Sequence, residues 1–326
     1  MNLVTNQQLR TYLATIPPLN LPPLPPPSLV VPQNVNQFAA YHLQDRGFHN
    51  VNACCCLNSL FFCLHRMQLV SVLPPANQMT LPNNQPDYIS MITLEILRAL
   101  PSANTFGLQI FLSIWNNVRP GHATLRPNED ILGLSDLFFS NIHLPPQAGV
   151  PIITEFLASY NCPCGFQELD LDFWIGKLFL RIPKLKIQQR QAAVPVGELL
   201  TTLINTPFQI PCALCGNPHA NGRFSVKRGK FTVINCDRVG NDWRNPIRTR
   251  LSTTQTQTIG QNYLGELIAC ISHRGDALGG HYFAYSLVNG TWYMNSDAHP
   301  AQRMGYHPFN STTANETVNH LVYKNN

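Results

Sequence analysis

The chain has 326 residues, 44% of them apolar, so a sizeable core is affordable and wholesale disorder is excluded. Only 12% of residues are charged, and the net charge of +5 is spread without a basic stripe, which argues against nucleic acid as a partner. No apolar run approaches the roughly 18 residues of a membrane span, and the first twenty residues lack the apolar core of a secretory signal, so no membrane role is expected.

Residues 1–36 form a proline-rich arm expected to lack a fold of its own. Pro17, Pro18, Pro22, Pro23, Pro25, Pro26, Pro27 and Pro32 alternate with Leu and Val. Such a segment favours polyproline II and could dock a proline-motif-reading domain. From Gln37 the character changes. Leu57, Leu60, Phe61 and Leu64 recur at helical spacing and predict a helix from about Cys55 to Met67. A second helix is predicted over Ile89 to Leu100, stopped by Pro101, and a third from Asn128-Glu129-Asp130 through Phe138. Strand signals then take over at Phe231–Cys236, Tyr263–Ser272, Tyr282–Val288 and Thr291–Asn295, with Asn289-Gly290 as the turn between the last two. Helices first and antiparallel strands last predict an α+β protein.

Ten cysteines in a chain of this length, with no signal for export, suit free thiols, metal ligands or a nucleophile better than five disulfides. An intracellular site, cytoplasmic or nuclear, is expected. Two segments carry the chemistry. In the first, Cys54-Cys55-Cys56 falls where the apolar periodicity begins a helix, and a thiol there is favoured as thiolate by unpaired backbone N–H groups. Neighbouring helical residues point about 100° apart, so only one of the three can address a given partner. Asn50 offers an amide to a developing oxyanion. In the second, His281 follows Gly279-Gly280 and opens a strand whose hairpin returns Asn295-Ser296-Asp297 toward it. A base and its orienting group require such an approach.

Together the two segments resemble the cysteine and histidine boxes of the ubiquitin-specific proteases, which are papain-like cysteine peptidases. Gly47, Asn50, Cys55, Asn58, Ser59 and Leu60 match the first box in register. Tyr263, Leu267, Ala269, His273, Gly275, Gly280, His281, Tyr282, Ala284, Tyr285, Trp292 and Tyr293 match the second. The resemblance implies a papain-like fold with a helical thumb, an antiparallel β palm and β fingers. It spans residues 37–326, with the fingers inserted at about 155–235. It implies Cys55 as nucleophile, His281 as general base and Asn50 as oxyanion donor. For the third member it favours Asp297, with Asn295 close behind and Ser296 least favoured.

The family often carries a finger-tip zinc site of two Cys-x-x-Cys pairs. Here Cys162 and Cys164 precede Cys212 and Cys215, each pair followed by glycine, and the first pair is one residue short. A structural zinc is thereby implied, and no cofactor for the reaction itself. The implied reaction is thiol-dependent cleavage after the C-terminal Gly-Gly of ubiquitin. A ubiquitin-like modifier such as SUMO, a binding pseudo-protease and a general papain-like peptidase stay open as alternatives. The two glycines before His281 are expected to leave space for a substrate backbone.

Overall fold

The computed structural model describes residues 55–69, 97, 131–141, 150–165, 167–168, 184–210, 215–217, 220–238, 247–252, 264–275, 279–297, 299–311 and 317–325. The proline arm, Asn50 and Cys212 lie outside these residues, as does the 89–100 helix except for Leu97, which is helical and buried.

Helix α1, Cys55–Arg66, forms where the periodicity predicts it, and α2, Ile131–Asn141, follows. A four-stranded sheet is built from β1 (Glu155–Asn161), β2 (Gln167–Glu168), β5 (Phe208–Ile210) and β6 (Ala220–Lys227), in the order β2-β1-β6-β5. Between these come β3 (Lys184–Lys186), β4 (Val194–Pro195) and α3 (Val196–Asn205). The strands that follow are β7 (Phe231–Asp237), β8 (Leu251–Ser252), β9 (Glu266–Gly275), β10 (Gly280–Val288), β11 (Thr291–Asn295), β12 (Gln302–Arg303) and β13 (Val318–Lys324). Six of these, together with β3, make the central seven-stranded sheet, in the order β12-β11-β10-β9-β13-β7-β3, and β4 pairs with β8. The architecture is α+β, as expected. The central sheet is mixed, not wholly antiparallel, because β3 joins its edge parallel to β7.

The β10–β11 hairpin turns at Asn289 (φ 48°) and Gly290 (φ 76°), the left-handed pair that matches the twist of the flanking strands. Its register sets Val288 opposite Thr291 and Ala284 opposite Asn295. Ala284 to Val288 are buried at every position, so both faces of this strand are covered. α1 is buried at all its residues but Arg66 and packs against β9, β10 and α2. Phe61 of α1 meets Phe138 of α2 edge to face, ring centres 5.9 Å apart. A second core cluster joins Val196 and Leu200 of α3 to Tyr285, Trp292 and Leu321.

Strand β13, which the residue pattern does not announce, lies between β9 and β7. It carries His320 with no exposed surface. The ring Nδ1–H donates to Asn235 Oδ1 (2.8 Å), and the Asn235 amide donates to Ser135 Oγ (2.8 Å) and to the Leu132 carbonyl (3.3 Å). One amide thus links β13, β7 and α2.

Burial holds the His320 ring neutral and lowers its pKa from 6.5 to about 3. The unfolded chain takes up a proton below pH 6.5 that the folded chain refuses. Stability is therefore complete above pH 6.5 and drains away as pH falls toward 3, by a few kcal/mol from this group. Thermal melts between pH 7 and 4 should show this fall, and His320→Gln should flatten it.

Candidate active site

Cys55 is the first residue of α1, so its thiol sits among backbone N–H groups that have no partner within the helix. It is 6% exposed. Burial pushes its pKa up, and the Asp297 carboxylate adds to the rise. Backbone hydrogen bonds at Tyr282, Cys56 and Cys55 pull it partly back. The net direction is upward, so the resting group is a thiol, and a base must take its proton before it can attack.

That Tyr282 contact brings the helix start onto β10, next to His281. Tyr282 is held on its other side: its hydroxyl accepts from the Ile131 N–H (3.4 Å), and its ring lies 4.5 Å from the His273 ring. His281 packs edge-on against Phe283, 4.6 Å between ring centres. Its Nε2 lies 2.9 Å from Ser296 Oγ and 3.5 Å from Asp297 Oδ2. Asn58, one turn along α1 from Cys55, donates its amide to Asp297 Oδ1 at 2.8 Å.

Cys55, His281 and Asp297 are thus gathered where α1 meets the start of β10 and the end of β11. Asn295 is not among them. It lies opposite Ala284, and its side-chain amide donates to Ser286 Oγ (3.0 Å) inside the sheet. Ser296, least favoured from the sequence, has the oxygen nearest to His281. Asn58 matched the cysteine box without a role being read from it. Only the fold, which sets residues 58 and 297 side by side, shows what its amide holds.

The glycines before His281 divide. A side chain on Gly279 would meet nothing, whereas at Gly280 a Cβ would collide with the His273 ring and the Arg274 carbonyl. The close approach at Gly280 is to strand β9 and not to an open channel.

Far along the chain, the Sγ atoms of Cys162, Cys164 and Cys215 lie within 4.8 Å of one another, with Cys162 and Cys215 3.5 Å apart. Four thiolates around one zinc at 2.3 Å would stand about 3.8 Å from each other, so the three fit a shared tetrahedral ion. Gly165 (φ 85°) and Gly216 (φ 69°) follow the last cysteine of each pair in the left-handed conformation that lets the backbone fold under its thiols. No disulfide joins any two of the eight cysteines among the described residues.

No known family's model matches the sequence, and no curated protein matches it. The fold does match solved structures. A chain of the SAGA Ubp8/Sgf11/Sus1/Sgf73 DUB module bound to monoubiquitin superposes with a TM-score of 0.60 at 18% identity, over 88% of this chain and 70% of that one. In the same module bound to ubiquitin aldehyde the TM-score is 0.59 at 16% identity, over 88% and 70%. A structure of the yeast module gives 0.60 at 17%, over 88% and 69%. This chain shares their fold. Among its described residues no helix is long and apolar enough to cross a membrane.

Two outcomes follow. Gly280→Ala should lower the melting temperature, because backbone and ring must move for one methyl group, whereas Gly279→Ala should leave it nearly unchanged. Purified protein should carry about one zinc per chain by elemental analysis, and Cys215→Ser should lose it together with some thermal stability.

Proposed function

We propose that the chain is a cysteine-type deubiquitinating hydrolase that cleaves the isopeptide or peptide bond after the C-terminal Gly-Gly of ubiquitin. The observation that carries the proposal is a helix-start thiol set against the backbone of Tyr282 and near the Asp297 charge, with the neighbouring His281 held by the Ser296 hydroxyl and the Asp297 carboxylate. That the fold is shared with a DUB-module chain seen with ubiquitin aldehyde supports the choice of substrate.

The residues divide the chemistry as follows. His281 takes the Cys55 proton at Nδ1, and the thiolate attacks the terminal glycine carbonyl. The backbone N–H of Cys55, together with Asn50, holds the oxyanion, a contact of the kind worth about 3–4 kcal/mol. The imidazolium then returns its proton to the leaving lysine amine. Water, activated by the same imidazole, releases ubiquitin from the thioester. Asp297 favours the imidazolium. In this reading the central seven-stranded sheet is the palm, α1 and α2 belong to the thumb, and the four-stranded sheet with the cysteine trio is the fingers, at about 155–235. Cys212 completes the ligand set for a zinc that holds the finger tips and takes no part in the reaction. Residues 37–326 are the catalytic unit, and the 1–36 arm is free to meet a proline-reading domain. The work is done in the cytoplasm or nucleus, where thiols stay reduced.

Ubiquitin bearing a C-terminal fluorophore tests the reading. Wild-type protein should release the fluorophore, and Cys55→Ala and His281→Ala should each cut kcat/KM by at least about a thousandfold, as loss of a nucleophile or its base does. Turnover of a SUMO substrate but not of ubiquitin would replace the substrate and keep the mechanism. Tight binding of ubiquitin with no turnover of either would make the chain a pseudo-protease.

A further inference from the structure

The third member of this site is divided between two neighbouring residues, and they do different things. Nε2 faces the β11 end, and its two oxygen neighbours there are not equivalent. Ser296 Oγ, at 2.9 Å, is at hydrogen-bond distance, while Asp297 Oδ2, at 3.5 Å, lies beyond a good N–H···O contact. At 3.5 Å a carboxylate still acts strongly through its charge. It is also placed with care: Asp297 takes a left-handed backbone (φ 45°), and Asn58 fixes its other oxygen at 2.8 Å.

Resting on the reading of Cys55 and His281 as nucleophile and base, we infer that Ser296 is the residue that holds the tautomer and orientation of His281, while Asp297, positioned by Asn58, supplies only the charge. In a regular strand two successive side chains point to opposite faces, so one alone could reach the ring. Here β11 ends at Asn295, and the left-handed turn at Asp297 returns the second side chain to the same nitrogen. Among the described residues, the other charged and titratable groups next to the pair include Cys55 on α1, Arg274 opposite His281 and His273 against Tyr282 on β9, and His299, whose backbone N–H donates to the Ser296 carbonyl. Arg274 is drawn over the Phe283 ring, 4.8 Å from its centre.

Two readouts separate the roles: the pH dependence of Cys55 alkylation by iodoacetamide, and kcat/KM on fluorogenic ubiquitin. Asp297→Asn keeps the backbone conformation and the Asn58 contact while removing the charge. It should move the acid limb of the alkylation profile to lower pH, because the Asp297 charge that raises the Cys55 thiol is gone. Asn58→Ala should move it in the same direction by less and add little to Asp297→Asn. Ser296→Ala should leave the limb in place but lower kcat/KM about tenfold, and Ser296→Thr, which restores a hydroxyl, should recover most of that loss. The inference is overturned if Ser296→Ala and Ser296→Thr both match wild type, or if Ser296→Ala moves the limb as far as Asp297→Asn. It is equally overturned if Asp297→Asn leaves the limb where it was. Because alkylation needs no modifier, a wrong choice of substrate leaves this test intact. Failure of the nucleophile–base reading shows separately, as a His281→Ala protein whose alkylation profile equals wild type.

Discussion

The site depends on one packing arrangement, the start of α1 held against the backbone of β10. Almost every residue of α1 is buried, so the helix is gripped on all sides and has no amphipathic freedom to slide or roll. Phe61 is locked by Phe138 on the α2 side, and the strands beneath are covered on both faces. This rigidity fixes a single thiol at a point where helix amides converge. Burial alone would leave Cys55 an inert protonated thiol, and the Asp297 charge pushes the same way. The backbone hydrogen bonds at Tyr282 and at the helix start offset these only in part. The other deeply buried thiols show the contrast. Burial raises Cys236 to about 12, and there only the nearby Arg238 charge pulls it back.

Features that depend on near neighbours in the chain were legible. Periodicity located α1, because a helix reads its apolar stripe locally. Asn289-Gly290 located the hairpin and with it the register that returns residues 295–297 toward His281. Long-range pairing was not legible. β13 sits in the middle of the central sheet, yet Asn319 and His320 interrupt its apolar pattern, and His320 is accommodated because Asn235 of β7, itself bonded to Ser135 of α2, meets its ring. Nor could the parallel edge strand β3 be placed, since a three-residue strand leaves no pattern.

The cysteine trio shows geometry tolerating what spacing seemed to forbid. Cys162-Pro-Cys164 is one residue shorter than the usual pair, which in a regular turn would splay the thiols. The left-handed Gly165, whose N–H donates to the Cys162 carbonyl at 2.9 Å, closes the turn early enough to bring both sulfurs to Cys215. The glycine after each pair was the informative letter, more than the count of residues between cysteines.

The same lesson applies with more force to the acid. Aligned letter by letter, the chain offers Asn295, Ser296 and Asp297 for one position, and strand alternation suggests that a single residue must be chosen. Alternation, however, holds only while the backbone stays extended. It is broken immediately after Asn295 by a residue type that tolerates positive φ, and Asp297 is such a residue. The turn carries the carboxylate back over the ring, and the hydroxyl before it already touches Nε2. Asn295, the last residue still obeying the strand, points into the sheet and bonds Ser286. Ser296 and Asp297 therefore do not compete for one place, because the hydroxyl touches the ring and the charge one residue later reaches the same nitrogen.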